Sequence, residues 1–128
     1  VSGLSAPGAS FAALGLLPPL LRAAAACGLA EPTPVQAATL PPALQRQDVL
    51  GCAPTGSGKT AAFGLALLQP LAPAPGPRAG VSARQGRRRT AALVLVPTRE
   101  LALQVGQTLR ALAGALPAVP HVAVVHGG

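Results

Sequence analysis

Ala53-Pro54-Thr55-Gly56-Ser57-Gly58-Lys59-Thr60 is the stretch of this 128-residue chain that decides its fold. Gly56 and Gly58 take backbone angles closed to other residues, so successive N–H groups can turn inward onto a phosphate. Good helix formers run from Lys59 to Leu68 and stop at Pro70, which predicts a helix whose positive N-terminal end faces the same point. Lys59 is the only lysine among ten cationic residues. Its ammonium is a mobile point charge able to reach β and γ phosphates, and the Thr60 hydroxyl is the group that ligates Mg²⁺ in loops of this kind. Thr55, Gly56, Ser57, Gly58, Lys59 and Thr60 are therefore the candidates for holding a nucleoside triphosphate. Lys59 and Thr60 are the candidates for catalysis, with Thr60 also the candidate metal ligand. Ala53 stands where a glycine more often opens such a loop, but a strand before it and a helix after it supply the expected context.

Working outward, Asp48 to Ala53 is a short apolar run between a polar residue and the turn, which predicts a buried strand. Ala91 to Val96, closed by Pro97, and Val119 to His126 are runs of the same kind. Between them, Arg99 to Leu112 is the longest helical candidate, with Leu101, Val105, Leu109 and Leu112 on one stripe. Toward the N-terminus, Leu20 to Cys27 predicts a short helix with prolines at its start and Gly28 as its C-cap. The prolines of Glu31-Pro32-Thr33-Pro34 exclude helix through that turn, and Thr33 or Pro34 opens a second helix toward Leu44. Apolar strands alternating with helices imply parallel pairing with right-handed crossovers, an α/β layer fold. Its ligand belongs at the carboxyl ends of the strands, where the glycine-rich turn and the segments after Val96 and Val125 all fall. Residues 1–10 read as a flexible lead-in, and residues 70–90 as a flexible insertion rich in Pro, Gly and Arg.

Ten Lys+Arg against three Asp+Glu give a formal net charge of +7, and the bias toward Ala, Gly, Pro and Arg reads as that of a GC-rich coding sequence. Half of the residues are hydrophobic but only 2% are aromatic, which predicts one small domain with a thin core and modest stability. The longest uncharged run, residues 1–21, is broken by Gly3, Pro7, Gly8, Gly15, Pro18 and Pro19 and does not read as a membrane span. No basic region precedes an apolar stretch at the start, so a signal peptide is not expected. Cys27 and Cys52 lie in apolar segments and read as small buried hydrophobes, free thiols suited to a reducing compartment. His121 and His126 have no cysteine near them and do not make a metal site. Arg87-Arg88-Arg89 reads as a solvated charged loop, with a grip on nucleic acid or a nuclear address as the alternatives. The chain has no Met and starts at Val1, and a fragment of a longer protein is expected.

A phosphate loop does not say which base is bound. The Gln36 amide can pair with N6 and N7 of adenine and would be refused by guanine, and Phe11 could stack on the ring. Taken alone, each residue reads as a solvated side chain or core filler. Gly28-Leu29-Ala30-Glu31-Pro32-Thr33-Pro34-Val35-Gln36, however, resembles the Q motif of DEAD-box RNA helicases, and Phe11 lies 17 positions before Gly28, where that family keeps an isolated aromatic. Ala53 to Thr60 looks like the family's motif I, including its opening Ala. Pro97-Thr98-Arg99-Glu100-Leu101-Ala102 matches motif Ia, and Gly127-Gly128 is similar to the GG element.

The resemblance covers nearly the whole chain from Phe11 onward and implies the front part of a RecA-like P-loop domain, a parallel sheet flanked by helices. It implies ATP and Mg²⁺ as cofactors. Phe11 and Gln36 would recognise adenine, and Thr33 would support that loop. Thr98, Arg99, Gly127 and Gly128 would touch the RNA backbone. Contacts of that type carry no base sequence, so RNA binding is expected to be sequence-independent and salt-sensitive. The family's Asp-Glu-Ala-Asp box, which positions Mg²⁺ and the attacking water, is not in these residues, nor is the second RecA-like domain with its arginine finger. The chain by itself is therefore expected to be inactive, and the RNA-dependent ATPase to belong to a longer protein. Residues flanking the loop are most like helicases of ribosome assembly, which points to ribosome-assembly factors as partners. The expected compartment is intracellular, the nucleus or nucleolus in a eukaryote and the cytoplasm in a bacterium. A DNA translocase of a related branch and a non-catalytic nucleic-acid-binding product are the competing readings.

Overall fold

The computed structural model describes residues 8–72 and 90–127. Four α-helices run through them in the order α1 Pro18–Ala26, α2 Pro34–Leu44, α3 Lys59–Leu68 and α4 Arg99–Gly114, with a 3₁₀ turn Gln69–Leu71 directly after α3. Most of the 70–90 insertion and of the 1–10 lead-in lies outside the described residues.

Local chemistry sets each helix end. Pro18 and Pro19 occupy the first turn of α1, where a missing N–H costs nothing, so the helix opens two residues before Leu20. At the other end Gly28, at φ +78°, donates its N–H to Ala25 O, and the Leu29 N–H reaches Ala24 O. That paired closure ends the helix and turns Leu29 back onto the core. α2 closes in the same way, through Arg46 N–H to Ala43 O and Gln47 N–H to Pro42 O, but with Arg46 at φ +62° in the position glycine usually takes. A non-glycine residue there costs about 1 kcal/mol.

The helices pack on one another, α3 against α2 and α4, and α1 against α3 and α4. Their shared core is built from Phe11, Leu16, Leu20, Leu40, Leu65, Leu68, Leu112 and Leu116 with alanines between them. On the predicted stripe of α4, Val105 and Leu112 are buried and Leu109 is half-buried, whereas Leu101 near the N-terminus is exposed.

The three expected strands are not formed as a laddered sheet among the described residues. Residues 48–53, 91–96 and 119–126 are neither helix nor turn, and no backbone hydrogen bond joins one to another. Two of the segments still show the two-residue period of a strand. Val94, Val96, Val122 and Val124 are half-buried, while their neighbours Leu93, Leu95 and Val125 are 75%, 84% and 90% exposed. A parallel sheet is held together by cover on both faces. Here one side of each segment is half-buried and the other is exposed. Cys27 and Cys52 also depart from expectation, since both are free but exposed. Cys27 caps the end of α1 beyond its last buried residue, and Cys52 belongs to an uncovered segment.

α4 lies hard against residues 119–126. Arg110 donates from Nε and Nη2 to Val122 O at 3.3 and 3.2 Å. Gly106 is buried, and a Cβ there would collide with the stiff Val124 side chain. Gly114, near the end of the same helix, is exposed with nothing within 4 Å. Alanine at either site adds about 0.8–1 kcal/mol of helix propensity. At Gly106 overpacking of about 1–3 kcal/mol outweighs that gain. Gly106→Ala is therefore expected to lower the thermal midpoint and Gly114→Ala to raise it. Equal shifts by calorimetry would show that α4 does not press on this segment.

Candidate functional site

The turn before α3 has the expected geometry. Gly56 and Gly58 sit at φ +79° and +89°, and Gly58 is the N-cap of α3 with no side-chain cap. The first hydrogen bond of the helix runs from Ala62 N–H to Gly58 O at 3.0 Å. The N–H groups of Lys59, Thr60 and Ala61 thus have no acceptor inside the helix and form a concentrated donor site at its positive end. Ser57 Oγ is buried with no hydrogen-bond partner among the described residues. A buried hydroxyl left unpaired costs about 1–3 kcal/mol, and a phosphate oxygen is a ligand that would satisfy it. Lys59 Nζ folds back over the turn and donates to Ala53 O and to Pro54 O, the latter at 2.9 Å. Its charge is held over the loop by carbonyls rather than by a carboxylate. Thr60, half-exposed, follows on the first turn.

Gln36 joins this loop to α2. Thr33 is the N-cap of α2 and Pro34 its first residue. Thr33 Oγ1 accepts from Gln36 N–H at 3.5 Å, while Gln36 Oε1 accepts from Thr33 N–H at 3.0 Å, a reciprocal cap that satisfies both donors. Gln36 Nε2 then donates to Gly58 O at 3.1 Å. The side chain is fully buried. One amide hydrogen and one oxygen lone pair are left over, a donor beside an acceptor. Sequence reasoning reads the pairing capacity of Gln36 but misses the cap, although the Thr-x-x-Gln spacing signals it.

Phe11 is 5% exposed and belongs to the core. It also lines a cavity of about 420 Å³ together with Ser10, Leu21, Gly28 and Leu29. Phe11 and the start of the Gly28–Gln36 stretch therefore face one space. Thr98 caps α4 by accepting from Leu101 N–H at 3.2 Å, with Glu100 in the first turn, and both Thr98 and Arg99 are exposed. Gly127 is exposed, and Gly128 lies outside the described residues.

A family model described as DEAD/DEAH box helicase matches residues 33–128, three quarters of the chain. The chain belongs to the DEAD/DEAH box helicase family. Membership implies a RecA-like fold. Among relatives, the chain is 47% identical over 122 residues to "ATP-dependent rRNA helicase RRP3" of Pyricularia oryzae, covering 95% of this chain and 20% of that protein. It is 42% identical over 122 residues to "ATP-dependent RNA helicase MAK5" of Gibberella zeae, covering 94% and 15%. To "DEAD-box ATP-dependent RNA helicase 52A" of Oryza sativa subsp. japonica it is 47% identical over 105 residues, covering 79% and 17%. The chain thus spans a fifth or less of the length of these relatives. No helix among the described residues is long and apolar enough to cross a membrane.

Proposed function

We propose that residues 11–128 are the N-terminal part of the first RecA-like domain of an ATP-dependent RNA helicase that remodels RNA duplexes in ribosomal RNA processing. Residues 1–10 would be its lead-in and 70–90 its insertion. In this reading residues 48–53, 91–96 and 119–126 are strands of a parallel sheet. The observation that carries the proposal is the junction at Gly58, where the loop bearing Lys59 and Thr60 is hydrogen-bonded to Gln36 of the adenine-side motif.

The residues present fit a magnesium nucleotide. Thr55 to Gly58 would cradle the phosphates, helped by the Ser57 hydroxyl, which has no partner among the described residues. Lys59 would exchange two carbonyls of its own loop for the β and γ phosphates, and Thr60 would ligate Mg²⁺. Phe11 would offer adenine the part of its ring that lines the cavity, and Gln36, fully buried here, would have to be uncovered on its spare donor and acceptor side to meet N7 and N6. When bound, the nucleotide supplies the phosphoanhydride bond whose cleavage resets the enzyme. Thr98, Arg99, Gly127 and Gly128 would grip the RNA backbone, with the N–H groups at the start of α4 adding an anion site. Hydrolysis needs the Asp-Glu-Ala-Asp box and a second domain, so it belongs to the complete gene product. Ribosome-assembly factors are its proposed partners, and the nucleolus its compartment in a eukaryote or the cytoplasm in a bacterium; the relatives named as rRNA helicases support this reading.

The test is ATP turnover and duplex unwinding by the complete gene product. RNA is expected to stimulate turnover and DNA to compete poorly; preference for DNA would replace the reading with a translocase. Gln36→Ala is expected to reduce selectivity for ATP over GTP by about tenfold, the worth of one lost pair of base contacts. Loss of the Thr33 cap alone would weaken both nucleotides alike, so an unchanged ratio removes the adenine role.

A further inference from the structure

We propose that Gln69 is a positioning residue for the base side of the nucleotide site: its amide clamps the turn that carries Phe11 to the far end of the helix that begins at Lys59. The inference rests on the assignment of Phe11 to the base. Gln69 follows α3 directly and opens the 3₁₀ turn. Its Oε1 accepts from Leu17 N–H at 2.9 Å, and its Nε2 donates to Gly15 O at 2.8 Å. One planar amide thus holds two backbone groups of a turn more than 50 residues earlier in the chain.

Apart from that clamp the turn bonds within itself and runs into α1, where Leu17 is the N-cap and its carbonyl accepts from Leu20 and Leu21 N–H. Ser10 O accepts from Leu14 N–H, Ala12 O from Gly15 N–H and Phe11 O from Leu16 N–H, while Ser10 Oγ accepts from Ala13 N–H. These bonds set its shape and not its place. Gly15 sits at φ +102°, a conformation side-chain-bearing residues rarely adopt, and its carbonyl is the one Gln69 engages. The turn's place comes from its run into α1 on one side, from Phe11 and Leu16 packing in the core, and from the polar clamp beside them. α3 has ten residues, so its ends lie about 15 Å apart. One stiff helix therefore presents Lys59 and Thr60 at its start and holds the Phe11 turn at its end. Releasing the clamp would leave the phosphate end intact while the Phe11 turn spends less time in its binding geometry, which lowers apparent affinity in proportion.

The test uses the complete gene product and two probes, ATP and inorganic tripolyphosphate, with dissociation constants measured for the native protein, Gln69→Ala, Phe11→Ala and the double variant. Gln69→Ala is expected to weaken ATP roughly three- to tenfold, the range of one or two lost hydrogen bonds, and to leave tripolyphosphate unchanged. The double variant should bind ATP no worse than Phe11→Ala, because Gln69 acts through Phe11. Gln69→Glu keeps the side chain's size and the acceptor for Leu17 N–H but sets a carboxylate oxygen against Gly15 O in place of the donor, so it should show the same split even if the alanine variant folds poorly. Amide exchange at Leu17 should quicken in Gln69→Ala. Equal loss of ATP and tripolyphosphate, or no loss of ATP while Phe11→Ala weakens it, overturns the positioning role and leaves Phe11 on the base. If Phe11→Ala itself leaves ATP binding unchanged, the base assignment falls, and the inference with it.

Discussion

Lys59→Ala in the complete gene product is expected to lower RNA-stimulated ATP hydrolysis by at least about 10²–10³-fold, the loss typical when one preorganised charge-stabilising donor is removed from an active site. Lys59 is the only lysine in the chain, and its Nζ stands over the glycine turn through hydrogen bonds to Ala53 O and Pro54 O. Those carbonyls hold the ammonium close to the α3 N-terminus without neutralising it. On binding a triphosphate the side chain would trade two neutral acceptors for charged ones, which bind about twice as strongly. Alanine loses that exchange entirely. The fold should survive, because Lys59 is half-exposed and fills no part of the core. Arginine is not an equivalent, since a planar fork cannot act as the compact point charge this loop accommodates. A single-turnover assay at saturating ATP separates weaker binding from slower chemistry. Turnover at the native rate would remove the phosphate role from the loop and with it the reading of the site.

Much of the helical layer was legible because its determinants are local. The bounds of α3 follow from Gly58 before it and Pro70 after it, and the end of α1 from Gly28. Thr98 and Pro34 likewise announce the starts of α4 and α2. The segments 91–96 and 119–126 are mostly apolar runs that read as buried strands, whereas the structure gives them alternating burial, with Val94 and Val96 or Val122 and Val124 half-buried. Leu93, Leu95 and Val125 are exposed, and no ladder joins these segments among the described residues. Arg46 was invisible as a left-handed cap because nothing distinguishes it in sequence from an ordinary surface arginine. Gln69 was missed for a different reason. Its two partners lie more than 50 residues away, and no local spacing reports a contact of that range. Gln36 stands between these cases: its cap with Thr33 is local and readable, whereas its bond to Gly58 is not.

That bond makes Gly58→Ala the most disruptive small change in the site. Alanine at φ +89° pays about 1–2 kcal/mol for the left-handed conformation. Its methyl would also lie 2.5 Å from Gln36 Nε2, 3.1 Å from Thr33 Oγ1 and 3.3 Å from Gln36 Cδ. Gln36 is fully buried and cannot swing into solvent, so it must break its bond to Gly58 O or displace α2. Overpacking and a lost buried hydrogen bond each add about 1–3 kcal/mol. Gly56→Ala is the control, with nearly the same strain at φ +79° but nothing within 4 Å of the added methyl. Gly58→Ala is expected to lower stability by about 2 kcal/mol more than Gly56→Ala, measured as denaturant midpoints at constant slope. Adding Gln36→Ala to Gly58→Ala opens the space the methyl needs, so the double variant should be less unstable than the two single losses added together. Equal midpoints for the two glycine variants, or strict additivity in the cycle, would mean that Gln36 does not press on the loop, and the coupling of the adenine-side motif to the phosphate site would have to run through other residues.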